Sequence, residues 1–190
     1  RYLIDNAVLG SNLASILFKI ENPSIGILNV GTVDIKGNDE IRNASDKLKK
    51  LSNKLSLNYH GFVEGNDISQ GKTNVVVTDG FTGNIALKTA EGTAKLFQSH
   101  LRDAFNSSLS SRIGYFLSSI AMKAVKDRLD PRVHNCGIFM GLNSLVVKCH
   151  GESESKGVSY ASDIIYSLLE NKVNQKIKSY LKEMHNNLEE

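Results

Sequence analysis

Long apolar runs are absent from this sequence of 190 residues, since none approaches the ~20 residues that a helix needs to cross a bilayer. No secretory signal is visible either, so we expect a cytoplasmic protein. An excess of one charge is also missing, because 23 basic and 20 acidic residues leave a net charge of +3. That balance gives no reason to expect nucleic acid as a partner.

Cysteine is scarce, with two residues in the whole chain. Cys136 and Cys149 lie in apolar surroundings, without a CxxC motif or paired histidines. We favour two reduced, structural thiols, while a disulfide or a metal site remains the alternative. We expect neither a bound metal nor a cofactor.

What the sequence does contain is an alternation of short apolar runs with helical patterns. The apolar runs predict buried strands over residues 25–30, 57–62, 75–77 and 145–149. Amphipathic periodicity predicts helices over residues 2–19, 38–55, 85–105, 111–129 and 157–185. Strands that are apolar throughout and alternate with helices are typical of a parallel sheet covered on both faces. The predicted class is therefore α/β.

Three polar, glycine-containing loops follow predicted strands, at residues 31–38, 79–84 and 150–157. Ligands of open parallel sheets bind at such strand ends. In the middle loop, Gly80 and Gly83 allow the backbone to approach a ligand, and the start of the next helix attracts anions. Neither a Walker loop nor a GxGxxG fingerprint occurs. Tight-turn chemistry is the alternative interpretation of this loop.

Polar side chains near these strand ends are candidates for chemistry. Thr82 and Asn84 can donate hydrogen bonds, and Asp79 can act in acid–base chemistry or brace the turn, which we favour. Lys148 ends a strand, and His150 follows on the same side of the pleat, which suits an anion or a developing oxyanion. A lysine that extends to solvent and a hydrogen-bonded loop histidine are the alternative.

The segment 109–129 carries a separate apolar stripe. Such a helix covers a core, joins a partner helix or lies in a membrane interface. From the pattern alone we favour a core or dimer contact. The stripe includes Ile113, Phe116, Leu117 and Ile120.

Several blocks of the chain, taken in order, resemble the bacterial phosphate acyltransferases (phosphate:acyl-ACP transacylases) of phospholipid synthesis, which are related to the phosphotransacetylases. The resemblance covers nearly the whole chain and is weakest in the last predicted helix. It is carried by IENP at 20–23, GILNVG at 26–31, KGN at 36–38, GFVEGND at 61–67, DGFTGN at 79–84, GLN at 141–143 and VKCHG at 147–151.

The resemblance implies a three-layer α/β/α fold with a parallel sheet, like that of phosphotransacetylases and isocitrate dehydrogenases. It also implies that orthophosphate attacks acyl-ACP directly, giving acyl phosphate and free acyl carrier protein without an acyl-enzyme. Phosphate is already an anionic nucleophile, so the protein must mainly position it and stabilise the oxyanion.

Roles for single residues follow from the resemblance. Catalysis is assigned to Asn84, Lys148 and His150, with His150 protonating the departing thiolate. Substrate and phosphate binding are assigned to Asp79, Gly80, Thr82, Gly83, Asn143 and Gly151.

The resemblance treats residues 106–130 as a helical insertion. Its apolar stripe is expected to serve a homodimer contact and peripheral attachment to the membrane, where a membrane acyltransferase receives the acyl phosphate. The expected location is therefore the cytoplasm, with peripheral membrane association.

Departures from the family's pattern are few. The family usually has Ser at position 149, Gly at position 144 and a Gly-Gly pair at 136–137. The family's N-terminal strand and two glycine-rich loops have no counterpart here, so we expect residues 1–190 to form the C-terminal part of the acyltransferase domain. The alternatives are a coenzyme A-dependent short-chain phosphotransacetylase and a non-catalytic module that dimerises or contacts membrane. Decarboxylating dehydrogenases of related fold rank low.

Overall fold

The computed structural model describes residues 2–128, 136–149 and 155–189. The chain divides into two compact units. The first comprises Arg1–Asp79, Gly137–Lys148 and Ala161–Glu190, and the second comprises Gly80–Cys136 and Cys149–Tyr160.

The first unit contains a three-stranded parallel sheet. Its strands are β1 (Ile25–Leu28), β2 (Tyr59–Val63) and β3 (Val75–Val77), in the order β2-β1-β3. All four residues of β1 are buried, which explains why this central strand is apolar throughout rather than alternating. The three predicted strands are confirmed: β3 has the predicted bounds, and the ends of β1 and β2 shift by at most two residues.

Helices α1 (Tyr2–Phe18) and α2 (Asp39–Leu55) pack against this sheet. The strand register places Ile27 opposite both Phe62 and Val77, so these side chains share one face of the sheet. A parallel sheet flanked by helices fits the predicted three-layer α/β/α class. The main core contains Leu3, Ile4, Ala7, Val8, Ile25, Ile27, Ala44, Leu48, Leu51, Phe62 and Val77.

Helix α2 begins where the sequence predicts. Asn38 is its N-cap, and its Oδ1 accepts a hydrogen bond of 2.9 Å from the backbone N–H of Ile41. Leu48 and Leu51 are buried on the inner face. Each such leucine stabilises the fold by roughly 1.5–3 kcal/mol. The helix ends at Ser56, which adopts the left-handed conformation.

A polar contact joins α2 to β2. The hydroxyl of Tyr59 lies 2.8 Å from Oγ of Ser45, whose side chain is fully buried. Burial raises the pKa of Tyr59 to about 12. The pair satisfies the Ser45 hydroxyl inside the core, where an unpaired polar group destabilises the fold.

The segment that follows β2 corrects a prediction. No helix is predicted between the strands at 57–62 and 75–77, but Gly65–Gln70 forms helix α3. Asp67 stabilises the start of this helix. Its Oδ2 accepts a hydrogen bond of 2.9 Å from the Glu64 N–H and lies 3.1 Å from Nζ of Lys72. The Glu64 hydrogen bond, together with Lys72, lowers the pKa of Asp67 against the opposing effect of burial. The Asp67 carboxylate therefore stabilises the folded state at pH values above the pKa that it has in the unfolded chain. This stabilisation is lost as the pH falls through its lower pKa in the folded state.

The last predicted helix is in fact two helices, α7 (Ser155–Glu170) and α8 (Val173–Glu189). Asn171 Nδ2 donates to the carbonyl oxygen of Ser167 at 2.8 Å, and Lys172 takes a left-handed φ of 51°. A positive φ ends a helix, although sequence periodicity continues across it. The two helices and α1 form a second core around Leu9, Leu168, Val173 and Ile177.

Strands β4 (Cys136–Phe139) and β5 (Val146–Cys149) pair with each other as a separate two-stranded sheet. A strand is thus present within the predicted residues 145–149, but it is not buried as predicted, because Val146 and Lys148 are exposed and β5 lies outside the three-stranded sheet. Ile138 and Leu145, which both belong to the first unit, pack against the second core.

The second unit contains helices α4 (Gly80–Asn106), α5 (Leu109–Leu117) and α6 (Ser119–Arg128). The single helix predicted over residues 111–129 is thus broken. The break lies at Ser118, whose Oγ donates to the carbonyl oxygen of Gly114 at 2.8 Å. A serine hydroxyl bonded to that carbonyl competes with the regular helical pattern.

Packing between α4 and α5 involves the aromatic rings of Phe105 and Tyr115, whose centroids lie 5.1 Å apart at an angle of 60°. None of the helices in the described parts of the chain is both long and apolar enough to span a membrane.

Candidate functional site

The carboxyl ends of the three parallel strands lie at one edge of the sheet. The chain leaves β1 at Asn29, β2 at Glu64 and β3 at Thr78. Two of the three predicted ligand loops begin here, at residues 31 and 79. The structure confirms that the three strands are parallel. Parallel strands place the loops that follow them at the same edge of the sheet, which is where ligands of such sheets bind.

Asn29 fixes the loop that follows β1. Its buried side chain donates from Nδ2 to the carbonyl oxygen of Lys36 at 3.1 Å, and its Oδ1 accepts from the Val30 N–H at 2.9 Å. Gly37 has a φ of +86°, and a Cβ added there would lie 2.3 Å from the Asn29 Oδ1. Only glycine therefore fits at position 37 without displacing Asn29.

Arg42 holds the same loop from α2. Its Nη1 donates to the carbonyl oxygens of Gly37 at 2.7 Å and Ile35 at 3.3 Å, and its Nη2 forms an ion pair with Asp39. Sequence reasoning missed both Asn29 and Arg42. The predicted strand over residues 25–30 includes Asn29, which hides its position at the strand end, and nothing in the sequence indicates that Arg42 reaches back to the loop.

Asp79 lies at the end of β3, near the starts of two helices. The Tyr2 hydroxyl at the start of α1 is hydrogen-bonded to the Glu40 carboxylate in the first turn of α2. That hydrogen bond raises the pKa of Tyr2, as do burial and the negative charges of Glu40 and Asp79. Glu40 also lines a cavity of about 390 Å³, together with Leu3, Ile4, Asn43, Ala44 and Lys47. Nothing in the sequence pattern indicates a role for Tyr2 or Glu40.

Helix α4 begins at Gly80, directly after Asp79. The predicted loop over residues 79–84 was therefore wrong in its extent, since Gly80, Thr82, Gly83 and Asn84 form the first turns of the helix. These glycines do not adopt a positive φ. A Cβ added to Gly80 would meet nothing within 4 Å, so the backbone at the helix start is open to its surroundings.

The start of α4 has the electrostatics of an anion site. The first N–H groups of any helix have no acceptor within the helix, and the dipole places a partial positive charge there. The first turn contains no acidic residue. Thr82 and Asn84 are exposed, where their side chains can add hydrogen bonds to an anion held by the backbone.

The remaining predicted residues lie near β5. Lys148 is an exposed residue of β5, and Asn143 lies between β4 and β5, where its carbonyl oxygen accepts from Asn174 Nδ2 at 3.4 Å. Both belong to the first unit, whereas Gly80–Asn84 belong to the second. His150 and Gly151 lie outside the described residues, so their assignments stay predictions. Within the described ranges, no three His, Cys, Asp or Glu side chains group as metal ligands would.

The second unit presents the predicted apolar stripe at its surface. Ile113, Phe116, Leu117 and Ile120 are 56–87% exposed. A cavity of about 310 Å³ lies among α4, α5 and α6. Its lining combines apolar and basic side chains, among them Phe97, Leu101, Arg102, Phe105, Arg112, Tyr115 and Lys126.

Comparison with known proteins gives one consistent result. A family model described as "Fatty acid synthesis protein" matches residues 1–176. A phosphate acyltransferase of Rhizobium etli is 46% identical over 183 residues, covering 96% of this chain and 52% of the relative. That of Beijerinckia indica subsp. indica is 48% identical over 180 residues, covering 95% and 46%. That of Xanthobacter autotrophicus is 45% identical over 179 residues, covering 94% and 50%. The chain thus spans about half the length of the curated relatives it matches.

Proposed function

Because this chain belongs to the bacterial phosphate acyltransferase family of fatty acid synthesis proteins, we propose that it carries part of an active site that transfers a fatty acyl group from acyl carrier protein to orthophosphate. A phosphate oxygen attacks the thioester carbonyl carbon and forms a tetrahedral intermediate. The carbon–sulfur bond then breaks, which gives acyl phosphate and the thiol of free acyl carrier protein. No covalent acyl-enzyme is needed, since phosphate is itself the nucleophile.

The observation that carries this proposal is the start of α4 at the carboxyl end of β3, directly after Asp79. A reaction between an anion and a thioester requires donors aimed at the phosphate and at the developing oxyanion. The N–H groups of the first turn supply such donors, and Thr82 and Asn84 extend them. Asp79, the last residue before the helix, orients these donors.

Cationic groups complete the proposed chemistry. Lys148 offsets the negative charge that builds up in the tetrahedral intermediate, and His150 donates a proton to the departing thiolate. Asn143 and Gly151 are assigned to phosphate binding. These roles rest on the family's motif at residues 141–151 and on the position of Lys148 in β5.

Replacing Lys148 with Met tests the cationic role in the full-length enzyme. We expect kcat to fall about tenfold, because the side chain keeps its length but loses its charge, a change that removes electrostatic stabilisation of the transition state. Acyl-phosphate formation from acyl-ACP is measured at saturating phosphate. Lys178→Met, which changes an exposed lysine of α8, is the matched control. A Lys148→Met enzyme with the turnover of the control would contradict the assignment.

The alternative acyl donor is a thioester of coenzyme A. A parallel assay of the unsubstituted enzyme with long-chain acyl-ACP and with acetyl-CoA distinguishes the two, because only the acyl carrier protein donor requires a protein-binding surface. We expect phosphate-dependent thiol release with acyl-ACP to be faster. Preference for acetyl-CoA would instead support a short-chain phosphotransacetylase.

A second function is supported by the exposed stripe. We propose that Ile113, Phe116, Leu117 and Ile120 serve a homodimer contact and peripheral attachment to the cytoplasmic membrane, where acyl phosphate passes to a membrane acyltransferase. Their exposure favours this, since large apolar side chains grouped at a surface mark an interaction site.

The double substitution Phe116→Glu with Ile120→Glu is expected to weaken dimerisation, membrane binding or both by at least about tenfold, because two charges cannot be buried without partners. Sedimentation velocity measures the first property, and flotation with anionic phospholipid vesicles measures the second. Ser110→Glu with Ser119→Glu adds the same charge to exposed serines of α5 and α6 and is the control. Retention of both properties by the double variant would eliminate the stripe as an interaction surface.

A further inference from the structure

The two cysteines of the chain lie side by side. Cys136 begins β4 and Cys149 ends β5, and these two strands pair with each other. Their Sγ atoms are 3.8 Å apart. Both side chains are half-buried, and the chain contains no other cysteine. The fold thus brings together two thiols that the sequence separates by twelve intervening residues.

The distance between the sulfur atoms suits a covalent bond. A disulfide requires sulfur atoms about 2.05 Å apart and Cα atoms about 4.4–6.8 Å apart. Neighbouring strands lie about 4.7–4.9 Å apart, within the second range. Strand pairing of this kind is thus compatible with a disulfide once rotation about the Cα–Cβ bonds brings the two sulfur atoms together.

The surroundings of Cys136 favour its neutral thiol. The Cys136 thiol lies 3.8 Å from the carbonyl oxygen of Gly157 as well as from Cys149. Burial and the neighbouring Cys149 raise the pKa of Cys136. A neutral, half-buried thiol reacts slowly with most electrophiles. Once either sulfur is oxidised, however, the other thiol is close enough to react with it at a high effective concentration.

We propose that Cys136 and Cys149 form a dithiol modification site, which low-molecular-weight disulfides such as oxidised glutathione convert into an intramolecular disulfide. One cysteine loses its proton to solvent, and its sulfur attacks a sulfur of oxidised glutathione. The glutathione disulfide breaks and releases one glutathione thiolate, leaving a mixed disulfide. The second cysteine, after losing its proton, attacks the protein sulfur of that mixed disulfide and releases the second glutathione. The protein dithiol loses two electrons and two protons, and oxidised glutathione becomes two molecules of glutathione.

The site has a structural consequence that does not depend on the proposed enzyme activity. The bond would join the first residue of β4 to the last residue of β5, next to Lys148. It would thereby fix the strand pair in its present register. The ratio of thiols to disulfides around the protein would therefore determine whether β4 and β5 are covalently linked.

Intact mass spectrometry tests the proposal on the folded chain incubated with oxidised glutathione. We expect the unsubstituted protein to lose the mass of two hydrogen atoms, without retaining glutathione, and to regain it with dithiothreitol. Peptide mapping should show residues 136 and 149 in one linked pair. Cys136→Ser and Cys149→Ser should each show no such loss, and circular dichroism checks that both variants fold.

Three results would overturn the proposal. One is stable glutathione adducts on the unsubstituted protein, which would show that the second thiol cannot reach the first. Another is a disulfide between two chains, seen as a covalent dimer on a non-reducing gel. The third is an unmodified folded protein under conditions where the urea-unfolded chain reacts, which would show that the pair is inaccessible.

Discussion

Replacing Asn84 with Asp in the intact enzyme is expected to lower kcat/KM for orthophosphate about 100-fold, the size of effect seen when one donor to a developing oxyanion is lost. The two side chains have nearly the same shape, so packing is kept. The amide donor is lost, and a carboxylate takes its place beside the start of α4. That charge repels phosphate from the N–H groups that we propose to bind it.

Helix stability should respond differently from activity. A negative charge near a helix N-terminus interacts favourably with the dipole, and Asp and Asn have similar helix propensities. We therefore expect a melting temperature that is unchanged or slightly higher. A mutation that lowers phosphate affinity without lowering stability cannot be explained by local unfolding.

Phosphate saturation curves with acyl-ACP as donor provide the measurement. Asn53→Asp adds the same charge on an exposed position of α2 and serves as the control. If the Asn84→Asp enzyme shows the saturation curve of the Asn53→Asp enzyme, the start of α4 does not bind phosphate. The assignment of Thr82 would then fall with it, since both rest on the same helix start.

Gly37→Ala is the second substitution with a large expected effect, a loss of about 3 kcal/mol in the free energy of unfolding. A left-handed conformation costs a residue with a Cβ about 1–2 kcal/mol. In addition, the new Cβ would lie 2.3 Å from Oδ1 of the buried Asn29. Moving Asn29 weakens its hydrogen bonds to Lys36 and Val30, each of which contributes about 1 kcal/mol.

A matched control separates the two causes. Gly71 also has a positive φ, of +65°, but a Cβ added there meets nothing within 4 Å. Gly71→Ala should therefore show the conformational cost alone, about 1–2 kcal/mol. Urea unfolding measures both variants. Equal losses at the two positions would show that Asn29 does not restrict position 37.

A double-mutant cycle adds an independent check. In an Asn29→Ala background the oxygen that obstructs the new Cβ is gone, so Gly37→Ala should cost less than it does in the unsubstituted chain. Two residues in direct contact are expected to show such coupling, whereas additive losses indicate independent sites. Additivity here would contradict the interpretation that Asn29 fixes the loop.

Much of the sheet could be predicted because the determining pattern is local. Val75–Val77 is a run of β-branched residues bounded by polar ones, and the structure has β3 at those residues. The Asn38 cap and the apolar spacing of α2 were likewise readable. Each depends on neighbours within a few positions of the chain.

The errors in the helices have identifiable causes. No helix was predicted at α3, although the spacing of Glu64 and Asp67 matches a reciprocal cap. The break at Lys172 depends on one left-handed residue in an otherwise continuous amphipathic pattern. Helix α4 starts earlier than expected since two glycines suggested a turn, yet both are helical.

The candidate site was predictable only in part. Strand ends and glycines point to a region, and Asp79 lies at the edge where the prediction placed it. The supporting contacts of Asn29 and Arg42 were not predictable, because they go to backbone carbonyl groups whose direction is set by the folded loop. Every residue has a backbone carbonyl group, so the residue types in the sequence do not show which one a side chain binds.

Helix α4 also has a mechanical consequence. Its 27 residues, at ~1.5 Å per residue, make a rod about 40 Å long. One end bears the proposed phosphate donors, and the other ends beside the ring pair of Phe105 and Tyr115. If the rod pivots near its far end, a rotation of about 5° displaces the near end by roughly 3.5 Å, more than a hydrogen-bond length. A pivot of this kind would carry Asn84, which lies in the first turns of the helix, along with the near end.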